Sequence, residues 1–174
     1  MDAMTHDPSN ETLCFGYGET KLGLVLVALS GRGVAAILFG DEPPALRRQL
    51  AAVYPRVRLI EDNDRLAGTA AKVVALIASP GRDLDLPLDL RGSELELAAW
   101  EALRGIPSGE TRTYGALAKG LAVPATAQEV GAACAANRLA VAIPCHRVVK
   151  ADGSISGYRW GVQRKSYAGI WVTR

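Results

Sequence analysis

Two rhythms of apolar and polar positions alternate along the chain. "KLGLVLVAL" (21–29) and "GVAAILFG" (33–40) are short, β-branched-rich apolar runs that predict strands. "SGRG" (30–33) between them predicts a hairpin with glycine at a positive-φ position. "PPALRRQLAAVYP" (43–55) predicts a helix opened and closed by prolines, and "DRLAGTAAKVVALIASPG" (64–81) a second helix stopped at Pro80-Gly81. "RDLDLPLDLRG" (82–92) alternates around a proline and predicts an extended connector, with a domain boundary near Gly92.

Beyond Gly92 the pattern becomes helical. "SELELAAWEALRGI" (93–106) predicts a helix with Ser93 as N-cap and a basic last turn, followed by a turn at "IPSGET" (106–111). "TYGALAKGLA" (113–122) and "AQEVGAACAAN" (127–137) predict two short helices joined as in a helix-turn-helix, with Asn137 as a left-handed C-terminal cap. The second of these is rich in Gly and Ala, so its backbone can approach another element or a nucleic-acid groove closely. "VVKADGSISGY" (148–158) carries Asp152-Gly153 and predicts a hairpin or wing. The whole reads as an α/β (α+β) chain.

Composition narrows the function classes. The 174 residues are 49% hydrophobic, enough for a buried core, with no apolar run long enough to span a membrane. The polar opening "MDAMTHDPSNET" lacks the form of a secretory signal, and three cysteines at wide spacing are a poor disulfide framework. Both point to the cytoplasm. With two histidines and no CxxC pair, no metal site is expected. The net charge of +2 is unevenly spread: residues 147–174 hold six basic residues and one acid, leaving the remainder at −3. That asymmetry favours an anionic partner for the C-terminal part.

The chemistry concentrates at "IPCHRVV", where Cys145, His146 and Arg147 follow a proline. A thiol attacks as its thiolate; His146 can take its proton directly or through a water, and Arg147 adds positive potential. Neighbouring residues do not face each other on a regular helix, so the pair requires irregular backbone, which Pro144 favours. Cysteine is also a small buried hydrophobe, the simpler reading for Cys14 and Cys134. From these residues alone a cysteine hydrolase, a redox thiol and a thiol acceptor remain open. No orienting acid or resolving cysteine lies nearby, and an acceptor requires the least.

"GAACAANRLAVAIPCHRVV", followed by "ADGSISGYRWGVQRK" and preceded by "LRGSELELAAWEALRGIPSGETRTYGALA", strongly resembles the O6-alkylguanine-DNA alkyltransferases, and most the C-terminal half of their bacterial adaptive-response members. The resemblance is dense over 90–165 and loose over 12–90. It implies a tail (1–11), a small ribonuclease-H-like α/β domain (12–90) and a winged helix-turn-helix-like catalytic domain (91–174). It implies stoichiometric transfer of an alkyl group from O6-alkylguanine or O4-alkylthymine in double-stranded DNA to Cys145, without cofactor. DNA would be bound by a monomer through the minor groove with little sequence preference, the lesion base being flipped into a pocket.

The resemblance also distributes roles. His146 takes the thiol proton, Tyr114 hydrogen-bonds the leaving base, and Asn137 ties the recognition helix to the active-site turn. Tyr158 and Arg159 form a lid, while the carbonyls of Cys145 and Val148 read the base. Thr113, Gln128, Gly131, Ala132, Arg147 and Lys150 fall at DNA-facing positions. Three positions depart from the family. Gln128 stands where an arginine finger is usual, Glu129 where a small residue is usual, and Val172 near an expected histidine-orienting glutamate. They keep a second expectation in view, a lesion-binding module that is weakly active or non-catalytic.

Overall fold

The computed structural model describes residues 10–79, 84–154, 157–161 and 164–165. Four strands form the first sheet: β1 (Thr12–Thr20), β2 (Gly23–Leu29), β3 (Val34–Gly40) and β4 (Arg58–Glu61), in the order β3-β2-β1-β4. β1–β2 and β2–β3 are antiparallel, whereas β4 returns parallel to β1 after helix α1 (Pro43–Val53). The predicted 30–33 hairpin forms, with Ser30 N–H donating to the Gly33 carbonyl. Gly33 sits at φ +147°, where a Cβ would stand 2.3 Å from the Pro87 carbonyl oxygen. Only glycine fits that crossing of hairpin and connector.

Helix α2 (Asn63–Ala78) lies across β1. Asp62 caps it by accepting the Arg65 N–H. Leu66, Ala70, Val73, Leu76 and Ile77, at helical spacing, meet the sheet. The stop foreseen at Pro80-Gly81 lies outside the described residues, as does most of the 1–11 tail. Glu11, at the end of that tail, is buried and paired with Arg91. Over 84–92 the connector is extended, and Leu88 bridges to Val34 on the outer edge of β3.

Helix α3 (Glu94–Arg104) opens on a full capping box: Ser93 Oγ accepts the Glu96 N–H, and the Glu96 carboxylate accepts the Ser93 N–H. Strand β5 (Arg112–Thr113) leads into α4 (Tyr114–Gly120), and α5 (Ala127–Ala135) packs against both α3 and α4. The chain then makes a single 3₁₀ turn at Cys145–Arg147 and strand β6 (Val148–Val149), which pairs parallel with β5. One contiguous apolar cluster runs from Leu13 and Phe15 in the sheet, through Trp100, Leu103 and Val130, to Cys145 and Trp160.

One local expectation is corrected. Asn137 does not adopt a left-handed cap; α5 ends on right-handed Ala136, whose N–H bonds back to Ala132 and Cys134. The Asn137 side chain instead supplies the bonds that close the next turn, so no positive φ is needed there. The Asp152-Gly153 turn forms, with Gly153 at φ +83° and Ser154 N–H bonded to Asp152 Oδ1. Lys150 N–H donates to the Ser154 carbonyl across that turn at 3.0 Å, as a hairpin requires, and residues 155–156 of the expected second arm lie outside the described residues.

Candidate active site

Cys145 sits at the end of a tightly bonded turn, residues 137–145. Asn137 organises it. Its Oδ1 accepts the Leu139 N–H at 2.9 Å, and its Nδ2 donates to the Ile143 carbonyl at 3.0 Å and to Cys145 Sγ at 3.3 Å. Asn137 is 1% exposed, so these bonds form away from competing water. Within the turn Val141 is held at φ +67°, a conformation that costs a β-branched residue on the order of 1–3 kcal/mol. The bonds Ala142 N–H to Ala140 O and Ile143 N–H to Leu139 O hold it there.

Beyond Pro144 the 3₁₀ turn supplies the irregular backbone that adjacent Cys145 and His146 require. The sulfur opens onto a cavity of about 440 Å³ lined by Tyr114, Gly131, Cys134, Ala135, Gly157, Tyr158 and Arg159. Tyr114 comes from the first turn of α4, Gly131 and Cys134 from α5, and Tyr158 and Arg159 from the segment after β6. Trp160 fixes that segment, stacking edge-on against Tyr158 and against Phe39 of β3. Arg159 Nη1 donates to the Asn137 carbonyl at 3.0 Å.

Burial governs the electrostatics. Desolvation pushes the Cys145 thiol up, opposed by the Asn137 hydrogen bond and by the positive charge of Lys165. Cys134 is pushed up to about 12, by burial first and then by the neighbouring Cys145. His146 is brought down to about 3 by burial, with Arg147 and Lys165 adding repulsion, so its imidazole is neutral. Among the described residues its buried Nδ1 has no hydrogen-bond partner, and neither has the Tyr158 hydroxyl. The site thus holds a protonated thiol, a neutral imidazole and an orphaned hydroxyl beside an open cavity.

Sequence reasoning missed Lys165. It is 2% exposed, its Nζ reaches the Tyr114 hydroxyl at 3.5 Å, and burial lowers its pKa. In the sequence it is one cation in a basic run. Two of the anticipated DNA-facing residues also have internal partners. Arg147 Nη1 donates to the Ile106 carbonyl at 2.7 Å, and Thr113 caps α4 through the Ala116 N–H. Glu129, expected to repel phosphate if it faced DNA, is the N3 residue of a capping box: its carboxylate accepts the Thr126 N–H and hydroxyl. Gln128 and Ala132 are exposed on α5, Gly131 is half-buried, and Lys150 is exposed at the following turn. Cys145, Tyr114, Tyr158 and Arg159 line one cavity, the buried Asn137 is bonded to Cys145 Sγ, and Val148 is buried with its N–H bonded to the Cys145 carbonyl. Val172 lies outside the described residues.

The family model described as 6-O-methylguanine DNA methyltransferase, DNA binding domain, matches residues 94–168. A methylated-DNA–protein-cysteine methyltransferase of Mycobacterium bovis is 38% identical over 120 residues, 68% of this chain and 73% of that protein. The chain belongs to the methylated-DNA–protein-cysteine methyltransferase family. The bifunctional transcriptional activator/DNA repair enzyme Ada of Escherichia coli is 41% identical over 92% of this chain and 46% of its own length. The chain therefore spans about half the length of that relative. The crystal structure of the Mycobacterium tuberculosis O6-methylguanine methyltransferase covers 93% of both chains at TM-score 0.76 and 27% identity, and a second, in complex with DNA, also gives 0.76 at 28%. The mixed α/β architecture is that of these methyltransferase structures.

Proposed function

We propose that the chain is a single-use alkyl acceptor that repairs O6-alkylguanine, and O4-alkylthymine, in double-stranded DNA. The observation that carries this reading is Cys145 Sγ at the floor of the 440 Å³ cavity, bonded by the Asn137 amide. The sulfur forms a bond to the alkyl carbon while the carbon–oxygen bond breaks, its electron pair leaving with the base. The thiol proton passes to the neutral His146, directly or through a water, and Tyr114 donates to the leaving base. The orphaned Tyr158 hydroxyl offers a bond to that base, and the Cys145 and Val148 carbonyls flank its exocyclic amine. The thioether is a poor leaving group, so each molecule reacts once. No cofactor takes part.

In this reading residues 12–90 form a ribonuclease-H-like domain and 91–174 a winged helix-turn-helix-like domain. α5 enters the minor groove by its small-residue face, Gly131 and Ala132, with Gln128 filling the space of the flipped base. Binding is by a monomer, with little sequence preference and a strong salt dependence. Thr113, Arg147 and Lys150 support the DNA-facing surface. A reducing, cytoplasmic setting fits the three free cysteines. Among the described residues no helix is long and apolar enough to cross a membrane.

The test is intact mass after incubation with O6-benzylguanine or a duplex containing O6-methylguanine. One adduct, mapped to Cys145 and absent from Cys145→Ala, is expected; an unmodified wild type overturns the proposal. The neutral Gln128 favours one second reading, a non-catalytic lesion-binding module. It predicts lesion-selective binding that persists in Cys145→Ala, with no adduct in the wild type.

A further inference from the structure

The turn that carries Cys145 hangs from the outer edge of β3. Ile37 N–H donates to the Arg138 carbonyl at 2.8 Å, and Ala140 N–H donates to the Ile37 carbonyl at 3.0 Å. Two residues earlier on the same strand, the Ala35 carbonyl accepts the Tyr54 hydroxyl at 2.9 Å. Tyr54 follows the last turn of α1 and is 5% exposed. Two guanidinium groups lie over its ring, with the Arg91 Cζ 5.3 Å and the Arg138 Cζ 5.1 Å from its centroid. Arg91 is fixed from behind by Glu11 and by Asp89 Oδ2 at 2.7 Å. The phenol is thus hydrogen-bonded to the strand, and it holds the Arg138 guanidinium both over its ring and at its hydroxyl.

Arg138 adjoins the residue that touches the sulfur. Asn137 has its amide on Cys145 Sγ and its carbonyl on Arg159 Nη1. Arg159 also feels Arg138: burial lowers its pKa first, and the charge of Arg138 lowers it further. Without the phenol, Arg138 would lose the contact that anchors its side chain, and the backbone at 138–140, tied to β3 through the Arg138 carbonyl, would hold the adjoining Asn137 amide less firmly. We infer that Tyr54, through its stack on Arg138, is a positioning residue for the acceptor turn, keeping the Asn137 amide on the Cys145 sulfur. The inference rests on Cys145 being the acceptor and assigns to residues far from the cavity a part in its reactivity.

The experiment is the second-order rate of Cys145 alkylation by free O6-benzylguanine, measured against pH for wild type, Tyr54→Leu, Tyr54→Phe and Arg138→Gln. Losing one hydrogen bond to the developing thiolate corresponds to about tenfold in rate and an upward shift of about one unit in the pH midpoint. Tyr54→Leu and Arg138→Gln should both show this. Tyr54→Phe, which keeps the ring over Arg138 but loses the hydroxyl's hydrogen bonds to Ala35 and Arg138, should fall between wild type and Tyr54→Leu. Lys165, Arg159, Cys134 and Tyr158 face the sulfur in every variant, so the midpoint reports the Asn137 bond. A purely structural role lowers the melting temperature and leaves the midpoint in place. Should Tyr54→Leu not fold, Arg138→Gln, at a half-exposed position, carries the same prediction. A folded Tyr54→Leu or Arg138→Gln with wild-type rate and midpoint overturns the inference alone, as does a Tyr54→Phe that is as slow as Tyr54→Leu. A wild type that forms no adduct overturns the acceptor reading together with it.

Discussion

Replacing His146 by glutamine should change how the protein responds to acid more than how it folds at neutral pH. In the folded chain the imidazole is 4% exposed and brought down to about 3 by burial, Arg147 and Lys165. In the unfolded chain it takes up a proton near pH 6.5. Above that value both states are neutral there and the site contributes no pH dependence. As the pH falls below 6.5 the unfolded chain binds a proton that the folded chain refuses. Stability therefore drops with a slope of about 1.4 kcal/mol per pH unit until the pH nears 3. Between pH 7 and pH 5 this amounts to about 2 kcal/mol. Urea unfolding of wild type and His146→Gln at both pH values isolates the term, because Glu11, Asp89 and every other titrating group cancel in the comparison. The wild type should lose about 2 kcal/mol more than the variant over that interval. Equal losses, or an imidazole that titrates near 6.5 in the folded protein by NMR, would refute the burial argument.

Four further outcomes follow from the same structure. Arg91→Met leaves the buried Glu11 and Asp89 carboxylates without their cation and should destabilise by about 3–5 kcal/mol at pH 7, less at pH 4, by denaturant titration. Burial pushes Asp89 up, but the bonds from Arg91 and Ser30 outweigh it and hold the carboxyl below its ordinary value; the stability they give is lost as pH falls. Gly33→Ala drives a Cβ to 2.3 Å from the Pro87 oxygen and should lower stability by more than about 2 kcal/mol, read as a fall in melting temperature. Glu129→Ala removes half of the α5 capping box, costing about 0.5–1 kcal/mol in the same assay. Gln128→Arg should tighten duplex binding and steepen its log–log salt dependence by about one unit, measured by fluorescence anisotropy.

Most of the helices were legible because their ends are written locally. Ser93 with Glu96, and Pro43 at the head of α1, announce helix starts whatever surrounds them. β1 was not legible, for a packing reason. Its glycines at 16 and 18 face α2, where a Cβ would come within 2.7 Å of Leu66 and 2.9 Å of Val74, so no alternating apolar side chains mark that face. β4, "RLIE", is four residues at an edge, too short and too charged to stand out. At the site, the Pro-Cys-His-Arg run named the thiol, but its surroundings come from long-range contacts. Lys165 reaches Tyr114 from 51 positions away, and Arg147 turns to Ile106 across 41. Glu129 is more than a charge: Thr126-x-x-Glu129 is a capping-box pattern as locally readable as the one at Ser93.

The pairing of residues 138–140 with β3, together with Leu88 on the same flank, has a consequence for solubility. Unpaired strand flanks are where like chains adhere and fibrils begin. The flank of this sheet nearest Cys145 is already occupied by the turn that carries the thiol. Strand addition onto the sheet is left with β4, across the sheet from the cavity. β4 resists it by being four residues long, with Arg58 and Glu61 exposed at its ends. Self-association begun there would leave the mouth of the cavity uncovered, so on the proposed acceptor reading an early aggregate should still consume one equivalent of alkylating substrate per chain.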